Sequence, residues 1–385
     1  MKHKILYLTL VPVDDGSTRC LLNLLKKLNR DKYEPIVVFP WKGWLTDRCK
    51  ELGIDVYYLP VGGMKRDLNF TSILKYLIEF WVSTVRIYLL CRKKKISMIH
   101  TNSAGILTGG MVSSLLGIPH IWHIREIISS PRILAGILGR VIQLMSTKTI
   151  VASEAIKDNL FGSNTKSEKI YVIYDGAEPE RLELDHSGNN LRKELGIPLD
   201  FPLVGTVGRF VEWKGQRQFI EASAIVVKQI PNVKFLIVGG ITYKENIPYR
   251  DSLYKLIDEL GLKDTVIMAG KREDVPRVMA ALDLFVSPNS EPEPFGLTLL
   301  EAMAQCKPIL AISMGGPKEI ILDRITGKLI PSNNPELMAE SIIEILKDRE
   351  TAGKMGEKGR ERAIGYFNFD NNFPKIEKIY SSLLN

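Results

Sequence analysis

A regular alternation of short β-branched runs with longer helix-forming stretches constrains the fold of this chain more than any other feature. Such alternation is typical of βαβ units, in which helices join parallel strands. It breaks between residues 175 and 202, where Gly and Pro accumulate among polar residues and favour a linker. Because 385 residues exceed the usual size of one domain, we predict two doubly wound α/β domains.

The predicted strands fall into two sets, one on either side of this break. The first set is 4–10, 36–39, 56–59, 98–100, 120–124, 149–152 and 170–173, and the second is 203–207, 233–238, 265–268, 284–286 and 308–311. We assign an N-terminal domain to residues 1–180, a linker to 181–200, a C-terminal domain to 201–365 and a final helix to 366–385. The sequence does not decide which domain that helix packs against.

Charge separates the two halves of the chain. The net charge is +8, to which residues 1–175 contribute +11 and the remainder −3. A basic first half suggests an anionic partner, such as nucleic acid, a phospholipid surface or a phosphorylated substrate. No recognised nucleic-acid motif accompanies the charge, so we expect no nucleic-acid partner.

Composition and cysteine usage indicate a globular protein of a reducing compartment. Hydrophobic residues make up 45% of the chain and charged residues 25%, which is typical of soluble domains. The cysteines are too far apart for a CxxC knuckle, and this suggests a cytoplasmic setting. The apolar run 5–13 lacks a small-residue cleavage site, so we interpret it as a buried strand. The four cysteines are Cys20, Cys49, Cys91 and Cys306.

Residues 71–91 are long enough to span a bilayer, but Lys75, Glu79 and Arg86 favour an amphipathic helix instead. With the basic run 92–95 behind it, this helix would dock the first domain on an anionic membrane, at the inner face of the plasma membrane. A core-facing helix with a solvated basic end explains the pattern equally well. The apolar positions concerned are Phe70, Leu74, Leu77, Ile78, Trp81, Val85 and Leu89.

Two glutamates flank the start of a predicted helix in the second half. Glu293 and Glu301 are separated by seven residues, and the helix is predicted to begin near Phe295. A helix start presents free N–H groups and a positive dipole end, and each carboxylate accepts hydrogen bonds from sugar hydroxyls. The alternative is that one glutamate caps the helix and the other joins a surface ion-pair network.

A glycine-containing loop follows the predicted strand at 203–207. Gly205 and Gly208 allow a ligand to approach the backbone closely, and Arg209 and Lys214 bring two cations to the same loop. A diphosphate needs such neutralisation. An exposed surface turn would look similar, but α/β folds bind ligands at strand ends, and this position favours a site.

Together these stretches resemble the retaining, nucleotide-sugar-dependent glycosyltransferases of family 4 (glycosyl transferases group 1). The resemblance implies the GT-B fold, in which two Rossmann-like domains face a central cleft. The first domain would bind the acceptor and the second the nucleotide-sugar donor. The motifs, in family order, are Gly208-Arg209 with Lys214-Gly215, the pair Glu293 and Glu301, and the run 315–321.

In the second domain, the resemblance gives each motif a role with the donor. The base-binding residues are the weakest of these, because solvated surface charges explain Lys271 and Arg272 equally well. The implied contacts are Arg209 and Lys214 with the diphosphate, Glu301 with the ribose, Glu293 and the backbone of Phe295, Gly296 and Leu297 with the sugar, and Gly270, Lys271 and Arg272 with the base.

In the first domain, Gly16 lies where the family has a glycine-rich loop that meets the donor diphosphate or the acceptor. A plain helix N-cap by Ser17 or Thr18 is compatible with that role. The family's Asn-Gly pair at the domain junction is Asp175-Gly176 in this chain.

His123 ends a predicted strand, where the family often places a histidine near the transferred sugar. Without the family, a structural role is the commoner explanation for such a histidine. A metal pair with His120 is not expected, because a separation of three along a strand points the two side chains to opposite faces. His100 and Asn102, at another strand end, are weaker candidates for the same region.

The expected reaction is transfer of a hexose-type sugar from a nucleoside-diphosphate sugar to an acceptor hydroxyl, with retention of the anomeric configuration. Arg209, Lys214, Glu293 and His123 would carry the catalytic roles. No two aspartates are two residues apart, so an Asp-x-Asp metal site is excluded and we expect neither a metal nor a cofactor. The acceptor is expected to be a glycan or a lipid-linked sugar in cell-surface polysaccharide or glycolipid synthesis. A sugar-nucleotide epimerase or hydrolase, or a noncatalytic sugar-nucleotide-binding protein, remains an open alternative.

Overall fold

The structure, a computed structural model, describes residues 2–64 and 70–384. The chain divides into two compact units: unit 1 is Met1–Asp175 with Asn372–Asn385, and unit 2 is Gly176–Asn371. It therefore leaves unit 1 after Asp175 and returns to it after Asn371. Each unit is built on one parallel sheet, which confirms the predicted doubly wound α/β class.

Unit 1 alternates strands and helices along the chain. The strands are β1 (His3–Thr9), β2 (Tyr33–Phe39), β3 (Asp55–Tyr58), β4 (Met98–Asn102), β5 (His120–Ile124), β6 (Lys148–Val151) and β7 (Ile170–Val172). The helices are α1 (Gly16–Lys27), α2 (Trp44–Glu51), α3 (Phe70–Lys94), α4 (Thr108–Leu116), α5 (Arg132–Met145) and α6 (Glu154–Phe161). Within the described residues, the sheet order is β3-β2-β1-β4-β5-β6-β7, so β1 and β4 meet where the order reverses, the usual ligand-binding edge of this fold.

Unit 2 repeats this architecture. Its strands are β8 (Leu203–Val207), β9 (Lys234–Val238), β10 (Val266–Gly270), β11 (Leu284–Ser287), β12 (Ile309–Ile312) and β13 (Lys328–Ile330). Its helices are α7 (Pro179–Leu182), α8 (Gly188–Glu194), α9 (Gln216–Val226), α10 (Ile247–Glu259), α11 (Val275–Ala281), α12 (Leu297–Ala304), α13 (Pro317–Ile320), α14 (Pro335–Lys347) and α15 (Arg349–Tyr366). In the described part of the chain, the sheet order is β10-β9-β8-β11-β12-β13. The loops after the parallel neighbours β8, β11 and β12 therefore emerge at the same edge.

Each predicted strand overlaps an observed strand, with ends that differ by at most three residues. The strand β13, Lys328–Ile330, was not predicted from the sequence. The segment 181–200, which we predicted as a linker, belongs to unit 2 and contains α8.

The final helix, α16 (Phe369–Leu384), crosses from unit 2 into unit 1. Its Tyr380 is fully buried in unit 1. The Tyr380 hydroxyl lies 2.7 Å from Nδ1 of His100 and 3.2 Å from the Tyr7 hydroxyl. The helix therefore packs against unit 1, which the sequence did not decide. The buried hydroxyl of Tyr380 would be costly to leave without these hydrogen-bond partners.

Helix α3 has two apolar faces. Its core-facing side is formed by buried residues such as Phe80, Ile87 and Leu90. The stripe predicted from the sequence lies on the other side, where Trp81 is 56% exposed and Leu89 59%. A core-facing role for that stripe is therefore wrong; its other exposed members are Leu74, Leu77, Ile78 and Val85, and the side chain of Phe70 lies outside the described residues.

Among the described residues, no helix combines the length and the apolar character needed to cross a bilayer. Helix α3 runs for 25 residues but carries charged side chains along its length.

Two glycine substitutions test how the start and the end of unit 2 are joined. A Cβ at Gly176 would lie 2.2 Å from the backbone nitrogen of Phe369. A Cβ at Gly353, exposed within α15, would have no atom of the described residues within 4 Å. We expect Gly176→Ala to lower the free energy of unfolding by about 1–3 kcal/mol through overpacking. Gly353→Ala should raise it by up to about 1 kcal/mol through helix propensity. Urea unfolding measures both; a stabilising Gly176→Ala would contradict the packing.

Candidate functional site

Most of the residues of unit 2 that are predicted to bind the nucleotide-sugar donor lie at the edge of the sheet where β8 and β11 end. A single 3-10 turn, Glu212–Lys214, follows the loop after β8. The Lys214 ammonium donates a hydrogen bond to Oε2 of Glu293, which lies in the loop after β11. The amide of Asn289 donates to the same oxygen. Both charged side chains are less than one-fifth exposed, so solvent weakens the attraction between them less than it would at the surface.

Gly215 explains why the two loops meet. Its φ of +70° lies in the left-handed region, and a Cβ there would stand 1.7 Å from the carbonyl oxygen of Pro288. Only glycine allows this backbone approach. The contact brings the loop after β8 against the loop after β11 and places Lys214 beside Glu293.

Arg209 provides a second cation in the same loop. The loop backbone is held by the buried Gln216, whose amide donates to the Arg209 carbonyl at 2.8 Å. Within the described residues, the half-buried Arg209 side chain has no acidic partner. Arg209 and Lys214 together therefore bring two positive charges against the single carboxylate of Glu293. This excess is suited to an anionic ligand.

The glutamate loop is pinned from its other side by Gly315 and Gly316, after β12. The Gly316 N–H donates to the Glu293 carbonyl at 2.8 Å, and a Cβ at Gly316 would lie 2.3 Å from the Phe295 carbonyl oxygen. Gly315 has a φ of +71° and pairs with Glu293 in an isolated bridge. The run 315–321 that drew attention in the sequence thus positions the loop that carries Glu293.

The loop leads into α12 through Gly296, whose φ is +118°. Helix α12 begins at Leu297, two residues later than predicted, and no side chain among the described residues caps it. Its first N–H groups and the positive end of its dipole are thus available to an anion or a hydroxyl oxygen.

Glu301 lies in the second turn of α12 and is only 5% exposed. The guanidinium of Arg181, on α7, donates to its Oε1. Asn289 and Arg181 are two site residues that the sequence reasoning missed. Arg181 is 120 positions away from its partner, so no local pattern joins the two.

The two glycines of the β8 loop have different surroundings. Gly205 is buried within β8, and a Cβ there would lie 2.4 Å from Cδ2 of Leu282. Its small size serves packing, so the expectation that it approaches a ligand is corrected. At Gly208 the nearest neighbour of a Cβ would be Cδ of Lys214, at an ordinary 3.5 Å. The protein itself therefore leaves room for a side chain next to this lysine.

The two cations after β10 differ in their contacts. Lys271 is exposed and directly follows Gly270, whose φ is +69°. Arg272 makes hydrogen bonds of 2.7 and 2.8 Å to Asp274 and one of 2.9 Å to Glu194. These ion pairs favour a structural role for Arg272, which is neither the predicted contact with the base nor the solvated surface charge that the sequence left open.

Gly16 is the first residue of α1 in unit 1. The N-cap is Asp15, whose carboxylate accepts from the Thr18 N–H at 3.0 Å, while the Thr18 hydroxyl accepts from the Asp15 N–H at 3.1 Å. The expected cap by Ser17 or Thr18 is therefore wrong by two or three residues. Thr18 instead completes a capping box.

His123 lies one residue before the end of β5 and is 1% exposed. Nη2 of Arg125 lies 3.4 Å from its Nδ1, and its Nε2 has no hydrogen-bond partner among the described residues. Burial, followed by the charge of Arg125, lowers the pKa of His123 well below its ordinary value. His120 is structural: its ring nitrogens contact Thr101 and the Met145 carbonyl at 2.8 and 3.1 Å, and burial lowers its pKa to about 4.

Two family models match the chain, one over most of each unit. The model described as Glycosyltransferase Family 4 matches residues 15–181, and the model described as Glycosyl transferases group 1 matches residues 188–362. The chain belongs to the glycosyltransferases that these two models describe.

Individual relatives extend this result. This chain is 24% identical to the UDP-Gal:alpha-D-GlcNAc-diphosphoundecaprenol alpha-1,3-galactosyltransferase of Escherichia coli, over 100% of this chain and 98% of that protein. It is 34% identical to the lipopolysaccharide core biosynthesis glycosyltransferase LpsE of Rhizobium meliloti, over 46% of this chain and 48% of that protein. The match spans about half the length of LpsE, and the match to a D-inositol 3-phosphate glycosyltransferase of Corynebacterium urealyticum likewise spans about half of that protein.

Among solved structures, Anabaena HepE in complex with UDP and glucose matches with a TM-score of 0.85. The sequences are 24% identical, and the match covers 99% of this chain and 100% of that one. At this identity the likeness concerns the fold, and it confirms the GT-B class predicted from the sequence.

Gly208 and Gly215 provide a matched pair of variants. A methyl group fits at Gly208, so the free energy of unfolding of Gly208→Ala should stay within about 0.5 kcal/mol of wild type. Because this methyl group would lie beside Lys214, we expect it to weaken the binding of a nucleoside diphosphate. Gly215→Ala should lose at least about 1–2 kcal/mol from its left-handed backbone alone. Urea unfolding and calorimetric titration measure the two effects. Unchanged diphosphate affinity in Gly208→Ala would remove Gly208 from the site.

Proposed function

We propose that this chain is a retaining glycosyltransferase that moves a hexose-type sugar from a nucleoside-diphosphate sugar to an acceptor hydroxyl. The observation that carries the proposal is the contact of Lys214 with Glu293 at the edge of unit 2, on the same loop as Arg209. The two cations suit a diphosphate, and the carboxylate suits the hydroxyl groups of a sugar attached to it.

In the proposed reaction, the main task is to stabilise the leaving diphosphate. The Lys214 ammonium has three N–H donors, so it can keep Glu293 in place and still bind a phosphate oxygen. Arg209 adds a planar guanidinium that does not have to break an existing ion pair. Because these charges and the start of α12 are held before substrate arrives, little reorganisation is needed. We propose on the same basis that the reaction requires no metal ion or cofactor.

Glu301 is proposed to bind the ribose of the donor. Arg181 engages Oε1 of this carboxylate, so Oε2 is the oxygen we assign to a ribose hydroxyl. Gly270 and Lys271 remain proposed contacts of the base, and Gly16 a contact of the diphosphate or the acceptor. His123 is proposed to contact a hydroxyl of the transferred sugar.

The acceptor is proposed to be a glycan or a lipid-linked sugar in cell-surface polysaccharide or glycolipid synthesis. Relatives named for lipopolysaccharide core biosynthesis, for capsular polysaccharide biosynthesis and for transfer to GlcNAc-diphosphoundecaprenol support this class. The complex of HepE with UDP-glucose supports testing uridine donors first.

A cytoplasmic, membrane-peripheral location follows from the same proposal, with unit 1 docking on an anionic lipid surface. Exposed apolar side chains lie on α3, α4 and α5. These helices are neighbours, since α4 packs against both α3 and α5. On α5, Ile133 is 78% exposed and Leu144 83%. Exposed Arg86 and Arg140 are interspersed with these apolar residues. Apolar side chains bordered by cations suit an interface with anionic lipids.

Removal of Arg209 tests the transfer reaction. With a screened UDP-, GDP- or ADP-sugar and a lipid-linked acceptor, we expect Arg209→Ala to lower kcat by about 10²–10³-fold, because a charge on the leaving group is lost. Lys228→Ala removes an exposed cation of the same unit and should turn over like wild type. Normal turnover by Arg209→Ala would contradict the proposed role, and an inverted anomeric centre in the product, read by proton NMR, would contradict retention.

Membrane docking is tested by flotation with vesicles of phosphatidylcholine, with and without phosphatidylglycerol. We expect the wild-type chain to float only with the anionic lipid and to be released by salt. Leu77→Gln with Trp81→Gln should abolish flotation, since two large apolar groups leave the surface. Leu199→Gln with Tyr254→Gln, which changes two exposed apolar residues of unit 2, should float like wild type. Equal binding by both double variants would count against docking through α3.

A further inference from the structure

A buried polar cluster lies at the ends of β4 and β5 in unit 1. Arg125 is its centre and is 8% exposed. Its Nε donates to the Asp175 carboxylate at 2.8 and 3.0 Å, and its Nη1 donates to the Asn102 side-chain oxygen. These contacts fix the guanidinium plane, whose remaining nitrogen, Nη2, faces Nδ1 of His123 at 3.4 Å.

The chemistry of Arg125 determines which proton His123 carries. A guanidinium only donates hydrogen bonds and is always protonated in proteins. The Nδ1 atom that faces it must therefore be the lone-pair nitrogen of the ring. A neutral imidazole has one N–H, so the proton belongs on Nε2. Burial and the adjacent cation both disfavour a second proton, in keeping with the lowered pKa of His123.

The Nε2 atom is the one without a partner. It is buried, and no donor or acceptor in the described residues reaches it. A buried polar group left unsatisfied is costly, and such groups are rare in folded proteins unless a ligand or water completes them. A buried N–H at a strand end of this fold is therefore positioned for a ligand oxygen.

We propose that Arg125, held by Asp175 and Asn102, is a positioning residue that keeps His123 neutral with its proton on Nε2. His123 then acts on the substrate as a hydrogen-bond donor to an oxygen lone pair and not as a general base. This inference rests on the proposed function for the identity of that oxygen, a hydroxyl of the transferred sugar. The state of the ring itself does not depend on the reaction.

Other groups around the two histidines are consistent with a neutral ring. His100, on β4, has its ring centre 5.4 Å from that of His123, and burial also lowers its pKa well below the usual value. The Tyr380 hydroxyl occupies Nδ1 of His100, and burial raises the pKa of that phenol, so it stays neutral. On α1, burial raises the pKa of the Cys20 thiol.

Two carboxylates complete the surroundings. Asp175 is bound by Arg125, and Glu126 accepts the N–H groups of Ala104 and Arg125 at 3.2 Å. Neither carboxylate has a hydrogen bond to the His123 ring, which leaves Arg125 as its charged contact within the described residues.

The decisive experiment is a nitrogen-15 NMR spectrum of the histidine rings in the full chain, recorded from pH 5.5 to 8. His123→Gln and His100→Gln identify the signals. We expect His123 to show a protonated Nε2 and a bare Nδ1 throughout. A proton on Nδ1, or titration of the ring within this range, would overturn the proposal. The result needs no turnover, so it is independent of whether the proposed transferase activity is found.

The role of Arg125 is tested by Arg125→Met combined with Asp175→Asn, which removes both buried charges together. In this variant, Nδ1 loses its cationic neighbour, so an Nδ1–H form should appear or the ring should titrate at higher pH than in wild type. An unchanged spectrum in a folded variant would show that Arg125 does not set the state of the ring. If the double variant does not fold, the wild-type spectrum still decides the position of the proton.

Side-chain replacement separates a donor at Nε2 from a merely structural ring. The amide N–H₂ of Gln reaches about as far as Nε2, whereas that of Asn reaches only about as far as Nδ1. His123→Gln should keep at least about tenfold more kcat/KM than His123→Asn, roughly the worth of one hydrogen bond. Equal losses, or a larger loss in His123→Gln, would overturn the donor role.

Discussion

The close backbone contacts of three glycines hold the candidate site of unit 2 together. Gly215 approaches Pro288, and Gly315 and Gly316 approach the segment from Glu293 to Phe295, at distances that a Cβ would forbid. These contacts link the loops after β8, β11 and β12 into one body before any side chain acts. The ion pair of the site depends on this arrangement, because Lys214 and Glu293 stand on different loops.

Charge is organised differently in the two units. In unit 2 the carboxylates Glu293 and Glu301 each form an ion pair with a cation. Arg209 has no acidic partner within the described residues, so the site carries an excess positive charge that suits an anion. In unit 1 the cation Arg125 is fully matched by Asp175, and its effect is to control a neutral histidine. The surplus positive charge of unit 1 instead includes exposed side chains of α3, where a membrane would meet it.

The sequence predicted those features that local pattern determines, and missed those that depend on distant pairing. Strand and helix alternation was enough for the fold, and the spacing of Glu293 and Glu301 was enough to find the loop before α12. Arg181 could not be found, because its contact with Glu301 joins segments far apart in the chain. The stripe on α3 was recognised as apolar, but only the packing of unit 1 shows that Trp81 faces outward.

The central claim is that Arg209 and Lys214 form a diphosphate site that needs no metal. Calorimetric titration of the wild-type chain with UDP and with UMP, both in the presence of EDTA, tests it most directly. We expect UDP to bind at least about tenfold more tightly than UMP, since only UDP has the second phosphate for the two cations. Equal affinities, or UDP binding that appears only when a divalent ion is added, would contradict the account.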